Sequence, residues 1–335
     1  MSRIAAPWPA IAAAPAGIGL GSAPLGNLFR AVDDDTAQAT IAAAWSAGVR
    51  YFDTAPHYGQ GLAEQRLGRG LRALPRDRFV LSTKVGRLLV PDPAAPREHA
   101  GYVDVPPFRT VVDYGADAAL RSIDDSLRRL DLDRIDIVYI HDVDARTHGA
   151  EQPRRFAEAM DGAYRALERL RGEGVIGAIG LGVNDWEPCH AALAHGDFDC
   201  FMLAGRLSLL DQSAAATLLP ACAARGVRLV AAGVFNSGIL ATGAVPGATF
   251  DYREAGAPWL ERMQRLQAVC DAYRVPLRAA ALQFPRRASA VATVVVGART
   301  PAEIADDIAL GMHPIAPAFW QALADAELIP REPLP

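Results

Sequence analysis

The chain has 335 residues, 51% of them hydrophobic and 21% charged, with a formal net charge of −4 at pH 7. Those proportions belong to a globular protein with a large core, and with no basic stripe they argue against nucleic acid as a partner. Cys189, Cys200, Cys222 and Cys270 form no CxxC pair, which reads as buried reduced thiols rather than a disulfide framework or a thiolate metal site.

The alanine-rich start, "MSRIAAPWPAIAAAPAG", carries one arginine and is interrupted by Pro7, Pro9 and Pro15, so it does not read as a helical leader. No uninterrupted apolar run reaches the ~18 residues of a membrane span. A cytoplasmic protein with no membrane partner is expected.

Short β-branched runs then alternate with Ala/Leu/Arg-rich stretches of helical period. Strands are predicted at 17–26, 50–55, 79–85, 134–144, 175–184, 198–206, 227–236 and 291–298. Helices are predicted at 33–49, 62–74, 115–132, 153–173, 187–196, 213–226, 257–274, 277–286 and 301–311. About eight β/α units close a parallel (β/α)8 TIM barrel, and no linker divides the chain, so one domain over 1–335 with its core at 17–311 is expected. The competing architecture, a doubly wound open sheet, wants a glycine-rich phosphate turn after the first strand. "GLGSAPLG" matches that motif only loosely. Residues 86–114, rich in proline and aromatics, are too long for a connector and read as a substrate lid or pocket wall.

Three polar residues stand at the C-terminal ends of successive strands: Asp53 after "RYF", Lys84 after "FVLST" and His141 after "IVYI". Tyr58 follows Asp53 on the same loop. A parallel barrel gathers all such ends on one face. Tyrosine is a poor acid or base at neutral pH, but an ammonium ~4 Å away favours phenolate by on the order of 4 kcal/mol at an effective dielectric of ~20. Asp53 would keep Lys84 charged, and a neutral His141 would orient a substrate oxygen. This is equipment for interconverting a carbonyl and an alcohol, and the hydride has to come from a nicotinamide or flavin. A metal reading built on Asp53, His57, His141, Asp142, Asp144 and His148 lacks His-x-His or HExxH spacing. A Schiff-base reading with Lys84 as nucleophile leaves Asp53 and Tyr58 without a task.

"GVRYFDTAPHYGQGLAEQRLGRGL", "LSTKVG" and "YIHDVD" resemble the aldo-keto reductases, and the resemblance runs from about Gly17 to about Leu310. It implies a barrel that binds NAD(P)H in extended form, with Tyr58 as general acid/base beside Asp53, Lys84 and His141. "GSAPLGNLF", "LAGRLSLLDQ" and "AALQF" look most like the branch of L-fucose and D-threo-aldose 1-dehydrogenases, with pyridoxal oxidation close by.

The resemblance also implies a cofactor site. Gly21 and Ser22 lie beneath the nicotinamide and its ribose, Asn184 on the carboxamide, and Phe235 on the nicotinamide face. Asn236, Ser237, Gly238 and Leu240 form the loop over the pyrophosphate. Gly297, Arg299, Glu303, Asp306 and Asp307 lie at the adenosine. Ala204 stands where many members carry a glutamine. Glu303, with Asp306 and Asp307, would repel a 2′-phosphate, whereas Arg299 would attract one. NAD is expected, with NADP as the alternative.

His57 and Trp186 are expected pocket walls. The implied reaction is oxidation of an aldose at its anomeric carbon to a lactone, the partner being a small sugar or aldehyde. Other outcomes are pyridoxal oxidation, NADPH-dependent aldehyde reduction, or nucleotide binding without turnover in a regulatory subunit. No metal is expected, and the oligomeric state is not legible.

Overall fold

A computed structural model describes residues 7–12, 14–331 and 334; Arg3 and the rest of the first six residues lie outside it. Eight parallel strands close into a barrel. They are β1 (Ile18–Gly21), β2 (Tyr51–Asp53), β3 (Val80–Val85), β4 (Ile137–His141), β5 (Ala178–Val183), β6 (Cys200–Ala204), β7 (Arg228–Ala232) and β8 (Val291–Gly297). Each pairs with its neighbour in sequence, and β1 closes the ring against both β2 and β8. The predicted strands are all present but shorter, because turn residues at both ends leave the ladder.

Helices form where capping and periodicity agree. Asp33 caps Asp34–Ser46 by accepting the Thr36 amide at 2.7 Å. Ala116–Leu130 buries Ala119, Ile123, Ser126 and Leu130, a single stripe at helical spacing. Thr300 caps Pro301–Gly311, with proline at the first helical position. Four helices fall outside the predicted set, Trp8–Ala12, Ala145–His148, Ile239–Thr242 and Pro317–Asp325.

The main core lies between strands and helices. A second cluster fills the barrel itself with Tyr51, Val80, Ile137, Tyr139, Val230 and Val295. Ile11 packs against these strand starts, so the first helix closes the end of the barrel opposite the strand C-termini.

The long segment after β3 is not irregular. Arg87–Pro91 pairs with Phe108–Val112 as an antiparallel hairpin over five residue pairs. The predicted helix 153–173 is present, but its middle, Met160–Tyr164, is a π turn. There Gly162 packs so closely on Tyr114 that a Cβ would fall 2.5 Å from its carbonyl oxygen, and the Ala163 amide donates to that same oxygen at 2.8 Å.

Candidate active site

The strand register sets the site. Asp53, last in β2, lies opposite Ser82 on β3; Lys84 on β3 lies opposite Tyr139 on β4; His141, last in β4, lies opposite Gly182 on β5. The Lys84 side chain passes beside Gly182, where an added Cβ would lie 3.4 Å from Lys84 Cε. Lys84 Nζ donates to Asp53 Oδ1 at 2.9 Å, to Asp53 Oδ2 at 2.7 Å and to the Thr54 carbonyl at 2.9 Å. Both side chains are essentially buried.

Asp53 has a further line of support. Ser82 Oγ donates to it at 2.7 Å, Tyr51 OH lies 2.9 Å from Ser82 Oγ, and Tyr139 OH lies 3.1 Å from Tyr51 OH. Since the serine proton is spent on Asp53, the protons of this hydroxyl chain run from Tyr139 to Tyr51 to Ser82 and end on the carboxylate.

Tyr58 reaches the set through Gly59, whose positive φ of 63° and close packing on Gly26 turn the loop sharply. Lys84 Nζ lies 4.6 Å from the centre of the Tyr58 ring, and the His141 ring stands edge-on to it at 6.0 Å. The four side chains therefore converge.

Their electrostatics differ from the expectation in one respect. Burial, and after it the Asp53 charge, push the Tyr58 phenol well above its ordinary value. Lys84 lies against the ring, but its three ammonium protons already have acceptors, two on Asp53 and one on Thr54, so none is left to donate to the phenol. The resting side chain is a neutral phenol. Burial pushes the Asp53 carboxyl up against the pull of Lys84 and Ser82. Burial, with the charges of Arg87 and Lys84, holds His141 well below the usual imidazole range, so it is neutral.

Tyr58, Lys84 and His141 line a cavity of about 550 Å3, from which the Asp53 side chain is set back. A second cavity of about 590 Å3 shares Leu28 and Tyr252 with it and runs past Phe235, Asn236, Ser237 and Gly238 to Gly297 and Arg299. The two adjoin at Leu28 and Tyr252, so together they run over the strand ends from β4 to β8. Several features suit a phosphorylated ligand there. Ser237 and Gly238 have positive φ, a side chain at Gly238 would meet nothing within 4 Å, and Arg299 Nε is buried without a partner among the described residues. Ser22 Oγ, buried behind the lining residue Ala23, is likewise unpartnered. Gly21 sits beside it, paired with Gly297 and Asp53.

Other expected site residues are placed differently. Phe235 lines the second cavity, under the Arg278 guanidinium, while Ala232 reaches the catalytic cavity from β7. Leu240 turns its side chain into the core and spends its amide on the Phe235 carbonyl. Trp186 packs against the core at the start of helix Glu187–Ala192 and does not line the cavity. Asp306 and Asp307 both pair with Arg278, which offsets one of their two charges. Glu303 accepts the Arg299 amide at 2.7 Å and lies 3.6 Å from Arg30. His57, Asn184 and Ala204 line the catalytic cavity.

The residue reading named Asp142 only as a possible metal ligand and Arg87 and Tyr102 only within the 86–114 wall, and it passed over Arg146 and Tyr252; all five line the first cavity. A sequence signal existed for two of them: Asp142 directly follows His141, and Arg87 lies three residues past Lys84, each at the open end of a strand. For Tyr252, on a segment anchored far from any strand end, there was none.

The Aldo/keto reductase family model matches residues 17–327. A pyridoxal 4-dehydrogenase of Microbacterium luteolum is 44% identical, over 93% of this chain and 94% of its own length. A D-threo-aldose 1-dehydrogenase of a Pseudomonas species is 43% identical, over 93% and 94%. Among solved structures, a glycerol dehydrogenase from Gluconobacter oxydans superposes with a TM-score of 0.71 at 22% identity, covering 94% of each chain. An aldo-keto reductase from Bacillus halodurans in its holo form gives 0.71 at 23%, covering 94% and 92%.

Proposed function

The chain belongs to the aldo/keto reductase family of nicotinamide-dependent oxidoreductases, and from that premise we propose that it oxidises an aldose at the anomeric carbon to the lactone, with NAD as cofactor. The observation that carries this reading is Lys84: it is locked on Asp53 and set against the Tyr58 ring, in the wall of a cavity that adjoins a second one along Leu28 and Tyr252. A bound nicotinamide supplies the hydride acceptor. The protein supplies the rest.

Tyr58 takes the proton of the anomeric hydroxyl, and must first be phenolate to do so. The Lys84 ammonium lies against the ring where negative charge develops, and Asp53, itself held by the buried hydroxyl chain, fixes it there. Neutral His141 donates a hydrogen bond to the reacting oxygen. Asn184 holds the carboxamide, and Ser237 and Gly238 receive the pyrophosphate. NAD is placed ahead of NADP because the Glu303 carboxylate sits on the Arg299 amide, where a 2′-phosphate would have to approach.

Mixing the protein with NAD and a panel of aldoses, and following the absorbance of NADH, tests the reading. Turnover of an aldose supports it; turnover of pyridoxal alone overturns it in favour of the second reading. That second reading has its own support in the Tyr102 ring, which lies 27° from the plane of Tyr58 and offers a flat aromatic wall. Replacing Glu303 with Gln should shift the NAD/NADP preference toward NADP by about tenfold.

A further inference from the structure

The two similar dehydrogenases, at 44% and 43% identity, act on different substrate types by their names, so overall likeness does not choose between a sugar and an aromatic aldehyde. The wall of the cavity around Tyr58 does. Asp142 and Arg87 both line it. Arg87 Nη2 lies 2.7 Å from Asp142 Oδ2, and Asn184 Nδ2 lies 3.2 Å from Asp142 Oδ1. His141 Nε2 lies 3.4 Å from the same Oδ2. This ion pair stands beside the catalytic histidine and not on the protein surface: the two side chains are 12% and 15% exposed.

Its geometry is held from several sides. Asp142 has a left-handed backbone, φ 51°. Its amide donates to the Gly182 carbonyl at 2.9 Å, and its carbonyl accepts from Tyr114 OH at 3.0 Å. The His141 carbonyl lies 2.7 Å from the same hydroxyl, whose single proton is shared between the two carbonyls, so one buried hydroxyl holds both residues. A non-glycine residue kept in this conformation at a cavity wall is the kind of strain that persists where a site requires it.

The donors and acceptors left over have one natural complement. Each carboxylate oxygen of Asp142 keeps acceptor capacity beyond its present bond. Arg87 Nε and His57 Nδ1 are buried and have no partner among the described residues. A hydroxyl group donates one proton and accepts at two lone pairs, so an alcohol can give to Asp142 while taking from Arg87. Two hydroxyls on adjacent carbons can do so together across the pair. Pyridoxal, even as its hemiacetal, has no vicinal diol. At neutral pH the pair is charged: burial lifts Asp142 only to about 6, against the pull of Arg87.

We propose that Asp142 and Arg87 form a diol clamp that binds two adjacent hydroxyls of the substrate and makes this enzyme select a polyhydroxylated aldose over a planar aromatic aldehyde. The inference rests on the proposed aldose oxidation and goes further, naming the residues that enforce it. A site with hydrogen-bonding groups at fixed positions discriminates against analogues that lack the partner, because its own groups are left unpaired.

The test is a cycle of variant against substrate. Wild-type protein and Asp142→Asn are assayed on the best aldose and on its analogues deoxygenated at C2, C3 or C4 in turn, with kcat/KM read for each. The wild type should prefer the parent sugar over the analogues lacking a clamped hydroxyl by about 30-fold, and in Asp142→Asn that preference should fall to about 3-fold. An unchanged preference in the variant overturns the clamp, because a merely structural effect lowers all substrates together. A circular-dichroism melt of the variant identifies loss of folding, in which case the deoxy series on the wild type alone decides: equal kcat/KM for parent and all analogues overturns the clamp. Failure of the underlying reading looks different, since the wild type would then turn over no aldose at all.

Discussion

At Tyr58 the local balance of forces runs opposite to the simplest expectation. A lysine one strand away from a tyrosine suggests a lowered phenol pKa, yet burial and Asp53 raise it. The reason is first the burial of the phenol, which no spacing rule shows, and the third proton of Lys84 goes to the Thr54 carbonyl and not to the phenol. Because the phenolate is the minor form, oxidation should accelerate by about tenfold per pH unit between pH 7 and 9. Reduction, which starts from the phenol, should be flat over the same range. Initial rates in both directions check this, and an oxidation profile that levels off near pH 7 would contradict it. Removing one partner of a buried pair is costly, so Lys84→Met should lower unfolding stability by about 3–5 kcal/mol. Adding Asp53→Leu should restore most of that stability but none of the activity, as denaturant melts and assays would show. The convergence of Asp53, Tyr58, Lys84 and His141 was legible because strand ends, and the loops that follow them, share one face in a parallel barrel. Trp186 misled because Asn184 and the helix that starts beside it set its direction, and the ring folds back toward His190.

Among the elements, the segments between strands carry what the strands do not. The hairpin Arg87–Pro91/Phe108–Val112 delivers Arg87, and the stretch between its strands delivers His99 and Tyr102 to the same cavity. The sequence marked this stretch as a wall by its length and aromatic content, but its pairing was hidden, since proline and charge interrupt the alternation. The π turn at Met160–Tyr164 was invisible for a similar reason: its cause is the Tyr114 carbonyl, which it touches across space. A second strap, around Thr249–Glu254, lies across the cleft. Asp251 fixes it by pairing with Arg146 at 2.6 Å and with Arg206 at 3.0 Å, and Tyr252 stands between the two cavities. Asp251→Ala should loosen the strap and raise the NADH dissociation rate by about tenfold, while the melting temperature moves little. Stopped-flow fluorescence of NADH release measures it, and an unchanged rate would show that the strap does not retain the dinucleotide.

The whole molecule explains why so short a set of motifs suffices. A closed barrel brings residues 31 and 57 positions apart, Asp53 to Lys84 and Lys84 to His141, onto adjacent strands with no further design. The helices that hold the ring together pack with little slack. Gly68, on helix Leu62–Leu71, sits so close to the helix ending at Leu130 that a Cβ would fall 1.8 Å from the Leu130 carbonyl oxygen. Gly68→Ala should therefore cost about 3 kcal/mol or more by overpacking, read as a lowered denaturation midpoint. Barrel order and strand count were legible from periodicity. The extra C-terminal helix Pro317–Asp325 and the plug at Ile11 were not, because short segments that pack onto an existing body need little pattern of their own.

Substituting Tyr58 with Phe removes a single oxygen and leaves the ring that covers Lys84 in place. The measurement is aldose-dependent NADH formation by this variant, set beside its affinity for NADH in the same buffer. Turnover should drop by at least about a thousandfold while NADH affinity stays within about threefold. A Tyr58→Phe protein that oxidises the sugar within about tenfold of the wild type would show that the proton leaves by another route, and the assignment of this site would fail.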